Sequence, residues 1–357
     1  MQARKNQHYV WEHYLKAWVC NEQNEVWSSH NGRVGRRPIS RIASSEYFYE
    51  VKPVNDDEKK YFQLFFLHRY PKDVQDEMLR YIDILNTPFR LNKELNFVNF
   101  LVAAKLGGYD KIPEYMRKEL EQLKTKNDIL AKNIVEERHG EAETQAVKWL
   151  NALINKDLDF FDFEKPMVTV NDHLTNEGYN FVLFVCMQYF RTKKTIERHS
   201  GALKKSLENP EWNNILPHYK IDIQNIDPEN ITPHFLRLNE MATAFALWTS
   251  KANLTLLMND TNCPFITSDQ PVINLKADYQ NRGKEVEGLV FYYPISPHLA
   301  ITINDLGKLN KVSLDVGRVT EFNKYMLKAH YQNAFADRKD VLENYINNIT
   351  NDNCTNR

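Results

Sequence analysis

Three groups of polar side chains have the types and spacing that chemistry needs. The first is Gln7-His8-Tyr9, where an imidazole that titrates near neutrality can act as general acid or base, or serve as a hydrogen-bonded structural histidine. His8 and His13 are five positions apart, which does not align them on a shared metal as an i, i+4 pair would be. Tyr14, Leu15 and Trp18 recur at three- and four-residue spacing and belong to a core face. The second group is the segment from Pro264 through Ser268-Asp269-Gln270-Pro271 to Val272. A strand ending in Ser-Asp before a proline turn sets a carboxylate at the edge or mouth of a sheet, where it can ligate a metal or move a proton; the alternative is an Asx turn that only ends the strand.

The third group is Gln188, Arg191, Thr192 and Arg198. Gln188 and Arg191 are i, i+3 neighbours that can fork onto a phosphate or carboxylate, while Lys193 and Lys194 suit a helix C-terminus. Arg33, Arg36, Arg37 and Arg41 read as a solvated loop with the capacity to grip phosphates. Asp57-Glu58-Lys59-Lys60 is similar to the acidic-lysine element of nucleases but is more simply a charged helix start, and Tyr293-Pro294-Ile295-Ser296-Pro297 reads as a structural turn. HExxH, GxSxG and the kinase signatures are absent from the sequence.

Strands at both ends and helices between them must position these groups. Short β-prone pieces, 25–29 and 47–51, flank a polar stretch with the turn pair Asn31-Gly32. From about Asp56 to Ala252 apolar residues recur at helical spacing, with a charged solvated run over 119–143, a helix from about Asn176 through Phe190 towards His199, and another from Pro233 to Lys251. Five β-prone runs follow, at 254–258, 265–268, 272–275, 289–293 and 299–303, then a last helix over about 320–347 and a tail, 348–357, expected to fray. The economical fold is α+β: a mostly antiparallel sheet formed from N- and C-terminal strands with a large helical middle layer. Residues 1–357 would form a single domain with 56–252 as a helical insertion or layer; two domains split near residue 255 is the alternative.

Composition narrows the function classes. Forty-six Lys+Arg against 47 Asp+Glu give a formal charge of −1, so nucleic acid or an anionic membrane could be held only by a local patch. With 11 glycines and neither GxxxxGKS/T nor GxGxxG, a P-loop enzyme is excluded. Cys20, Cys186, Cys263 and Cys354 are too far apart for a CxxC pair and read as reduced thiols. No apolar region follows the polar first seven residues, and the longest apolar run, 181–190, is about half of the ~20 residues a bilayer crossing needs. A soluble cytoplasmic protein is expected, with no membrane partner.

Taken in order, Gln7-His8-Tyr9, Tyr14-Leu15, Trp18, Glu46, Phe48-Tyr49, Gln188, Arg191-Thr192, the 265–272 segment, the 293–297 segment and Asn323 resemble the bacterial domain of unknown function 4238 family over nearly the whole chain. Two departures are Trp11 and Lys193, each at a position where that family often has proline. The resemblance implies one continuous module and, because similar members occur among mobile-element and prophage accessory proteins, an anti-phage effector. It also implies that polar residues from separated segments form one pocket. The expected activity is hydrolysis of nucleic acid or a nucleotide, as in a nuclease-like or phosphate-ester hydrolase. His8, Glu46 and Asp269 would be catalytic, and Gln7, Gln188, Arg191 and Asn323 would bind substrate. No metal is demanded by the sequence; a divalent ion such as Mg is a candidate cofactor. The contrasting expectation is a non-enzymatic sensor or adaptor that binds a phage or host protein, with the same polar set as a buried hydrogen-bond network.

Overall fold

The computed structural model describes residues 2–163, 165, 168–170, 173–279, 286, 288–304 and 310–354. In chain order it runs through β1 (Asn6–His8), α1 (Glu12–Leu15), β2 (Glu25–His30), β3 (Arg33–Pro38) and β4 (Ser44–Glu46), which pairs with β1. Then come α2 (Asp56–Phe62), α3 (Lys72–Leu85), α4 (Thr87–Leu106) and α5 (Glu114–Ile154). A small hairpin, β5 (Val168–Val170) and β6 (His173–Thr175), precedes α6 (Glu177–Phe190), α7 (Lys193–Leu207), α8 (Trp212–Ile215) and α9 (Pro228–Thr249). The chain continues with β7 (Leu254–Met258), β8 (Thr267–Ser268), β9 (Ile273–Asn274), β10 (Phe291–Ser296), β11 (Leu299–Ile303) and β12 (Asn310–Ser313). It closes with α10 (Val316–Ala329), β13 (Asn333–Ala336) and α11 (Lys339–Cys354). The fold is α+β, as the alternation of patterns requires. Among the described residues no helix is long and apolar enough to cross a membrane.

Two compact units emerge, one from Met1–Gln7, Ser45–Glu141 and Arg198–Leu238, the other from His8–Ser44, Ala142–Glu197 and Asn239–Arg357. The first is helical. Asn55 starts α2 with a capping box, accepting the Glu58 N–H while the Glu58 carboxylate accepts the Asn55 N–H, which accounts for the acidic-lysine tetrad as a helix start. Gly107, at φ 83°, ends α4 in the left-handed region. Across the hairpin, Asn92 Nδ2 donates to Asp128 and Asn127 Nδ2 donates to Asn92 Oδ1, so α4 and α5 meet through a polar seam.

Besides the β5–β6 hairpin, the described residues of the second unit hold two larger sheets. One has the order β3-β2-β13-β8 and is antiparallel throughout, so N-terminal and C-terminal strands do share a sheet. The other has the order β12-β7-β11-β10-β9, antiparallel except for the parallel β12–β7 pair. Helices α10 and α11 close the core, where Phe322, Met326 and Leu342 pack with Phe265, Ile266 and Tyr292. Each such side chain contributes roughly 1.5–3 kcal/mol by leaving water.

Several local expectations need correction. The arginine stretch is not a solvated loop: Arg33, Arg36 and Arg37 lie on β3, turned back from β2 by Asn31 at φ 50° and Gly32 at φ 73°, the two positive values of a type I′ turn. Residues 47–51 form no strand. The helix expected over 176–199 breaks after Phe190, where the Thr192 hydroxyl is drawn onto the Gln270 side chain. Helix α9 begins five residues before Pro233, and the Thr232 hydroxyl, 2.7 Å from the Pro228 carbonyl, takes up an acceptor in the turn that the proline disturbs. The single closing helix is two, α10 and α11, with β13 between them. The tail expected to fray is helical in backbone as far as Cys354, and 355–357 lie outside the described residues.

Candidate functional site

In the second unit, α6 delivers Arg191 as its last capping residue, and the C-terminal third of α5 delivers Glu143. Arg191 Nη1 and Glu143 Oε1 are 2.7 Å apart, with the arginine side chain 1% and the glutamate side chain 16% exposed. Tyr293 stands within reach of both charges and stacks on Tyr14 at 5.0 Å. The Tyr293 hydroxyl is buried with no hydrogen-bond partner among the described residues, and it feels the charges of both Arg191 and Glu143. Burial dominates and drives its pKa far above the ordinary value, so it remains a protonated donor.

His8 is half-buried on β1. Burial lowers its pKa below the usual histidine value, Glu12 and Glu143 pull it upward less strongly, and Arg191 pushes it down. The ring is therefore neutral at pH 7 and able to accept a proton. Gln188, one turn before Arg191, is fully buried with neither end of its amide hydrogen-bonded among the described residues. Burying both ends costs a few kcal/mol by the usual magnitudes, about 1–3 kcal/mol for each unsatisfied group. The cluster thus joins a proton acceptor, a guanidinium, a protonated phenol and a carboxylate that reaches solvent, the set needed to hold an anionic group and transfer a proton beside it.

The other residues expected in the pocket do different work. Asp269 is buried, and its carboxylate accepts the backbone N–H groups of Tyr331 at 2.8 Å, Gln332 at 2.8 Å and Asn333 at 2.8 Å. It ties the segment entering β13 to the end of β8. This is neither a free carboxylate nor an Asx turn. Asn323 accepts the Ile266 N–H and donates to the Pro264 carbonyl and the Tyr345 hydroxyl. In the first unit, Gln7 accepts the Tyr49 N–H at 2.7 Å and donates to the Lys132 carbonyl at 2.7 Å. Glu46, also in the first unit, is exposed and paired with Lys5 at 3.0 Å.

Glu143 was hidden in the charged run 119–143; the signal that finds it is a buried arginine, which must have an acid nearby. Tyr293 was hidden in a segment read as a turn. An open cleft of about 530 Å³ in the first unit, lined by Trp212, Leu216, Pro217, Lys220 and Asp57 among others, contains none of the expected site residues. Among the described residues no three His, Cys, Asp or Glu side chains are grouped to hold a metal ion. Cys20, Cys186 and Cys263 are free thiols.

With this geometry in place, the family model described as "Protein of unknown function (DUF4238)" matches residues 6–340. The chain belongs to the DUF4238 family. No curated protein matches it, and no solved structure does. The match takes in every residue of the His8–Glu143–Arg191–Tyr293 cluster together with the Asp269 and Asn323 clamps, so both kinds of site lie in the family module.

Proposed function

We propose that this DUF4238 protein is a cytoplasmic anti-phage effector that hydrolyses a nucleotide or another small phosphate ester at the cluster around Arg191. The observation that carries the chemistry is the buried Arg191–Glu143 pair beside a half-buried histidine held neutral at pH 7. In this reading His8 moves the proton, while Arg191 and the Tyr293 hydroxyl receive the charge that develops on phosphate. Burial of Arg191 favours a small ligand over a nucleic-acid duplex, which needs an open cationic surface. The defence role rests on what the family resemblance implies, and the chemistry on the cluster.

The experiment is phage restriction together with phosphate release from a nucleotide panel, with and without Mg, for wild type, His8→Ala and Asp269→Ala, each with a thermal melt. The expected result is that His8→Ala loses turnover and restriction while its melting temperature stays near wild type, whereas Asp269→Ala loses stability. Full restriction by His8→Ala overturns the reading. The second reading, an adaptor that binds a phage or host protein, is favoured by Gln7, Asp269 and Asn323, which make hydrogen bonds to backbone groups of the fold.

A further inference from the structure

Helix α4 carries large apolar side chains on a face that its own core leaves open. Its contact with α5 includes the polar Asn92, Asn127 and Asp128 seam, while Phe97, Val98, Phe100 and Leu101 are 61, 53, 54 and 49% exposed. Phe97, Phe100, Leu101 and Ala104 stand at i, i+3, i+4 and i+7, the spacing of a packing stripe. The four large side chains leave about 400 Å² of apolar surface in water, a patch at the size that marks an interaction site and about half of one partner's share in a stable interface.

Charge selects the occupant. Glu94 and Lys105 are both exposed and eleven positions apart, which is three helical turns, so they lie on the same flank of the stripe. Their midpoint falls beside Phe100. A second copy of α4 laid antiparallel about a two-fold axis at that point brings Glu94 of each copy level with Lys105 of the other, so that both pairs form at once. We propose that α4 is the seam of a homodimer, two copies pairing antiparallel through Phe97, Phe100 and Leu101 and held in register by two Glu94–Lys105 pairs.

The test is sedimentation velocity on the full chain across micromolar concentrations. Wild type is expected at twice the chain mass, and Leu101→Glu at the chain mass with an unchanged circular dichroism spectrum. Because position 101 is exposed, that change leaves the fold intact. Glu94→Lys alone and Lys105→Glu alone should each weaken the dimer by about tenfold, since two pairs are lost per interface. The double variant Glu94→Lys/Lys105→Glu should restore it. A monomeric wild type, or a dimer indifferent to Leu101→Glu, overturns the proposal and leaves the face to a different protein. A dimer that the double reversal fails to rescue overturns the antiparallel register.

Discussion

Arg191 and Glu143 form an ion pair at 2.7 Å that fastens the end of α6 to the C-terminal third of α5. The arginine is out of water and the glutamate nearly so, which makes the pair asymmetric in its response to mutation. Removing one partner leaves a buried charge; replacing both by apolar groups of similar size does not. Arg191→Met or Glu143→Leu alone should therefore lower unfolding free energy by about 3 kcal/mol, and the double variant by clearly less than the sum. Urea denaturation of the four proteins measures this coupling. Phosphate release by the double variant then separates stability from chemistry: the proposed function expects none.

Asp269 offers the contrasting case of a signature residue whose work is structural. Three backbone N–H groups converge on its carboxylate, and Asp269→Ala takes the acceptor from all three, those of half-buried Tyr331 and Asn333 included. A loss of about 3–5 kcal/mol is expected, with faster amide hydrogen exchange at residues 331–336 than in the rest of the sheet. Exchange that rises evenly over both sheets would contradict a local clamp.

At Asn323 the two ends of the amide face opposite needs, an N–H from Ile266 and a carbonyl from Pro264. Asn323→Asp keeps the size but turns the donating end into an acceptor against that carbonyl. It should melt at or below the temperature of Asn323→Ala, the reverse of what side-chain volume alone gives. Differential scanning calorimetry of the two variants decides the order.

His234, on α9 in the first unit, supplies a pH prediction. Burial, followed by the charge of Arg237, lowers its pKa to about 3, while its hydrogen bond to the Lys52 backbone pulls the other way. The folded value lies below the unfolded one, so the unfolded chain binds the extra proton. The stability that neutral His234 permits is complete above about pH 6.5 and is lost as pH falls from there towards 3, by up to about 1.4 kcal/mol per pH unit. His234→Asn should flatten the dependence of unfolding free energy on pH between 6 and 4; an unchanged slope contradicts the assignment.

How much of this was legible in the sequence depends on which force shaped each residue. Strand β7 was visible because it lies inside its sheet and four of its five residues, all but Thr255, are apolar. Strand β3 was hidden because as an edge strand its residues carry arginine, and it is pairing with β2 that makes it a strand. Strand β13 was hidden because four residues, Asn333 to Ala336, carry no periodicity of their own and are set by strands on both sides. Gln188 and Arg191 were found as polar side chains at the end of the most apolar helix, and His8 as an imidazole able to act as acid or base. Glu143 was missed because its own neighbours in sequence are charged, and only the fold places it against a buried cation.

The central place of β13, bonded to β2 on one side and β8 on the other, ties the whole sheet to a strand that follows both of them in the chain by more than sixty residues. A ribosome working from the N-terminus releases β2 and β8 long before the strand that joins them exists, and Asp269 waits for residues 331–333 to close its clamp. A premature stop anywhere before that point therefore yields a chain whose sheet cannot close. Closure of this sheet is deferred until residues 331–336 have been made.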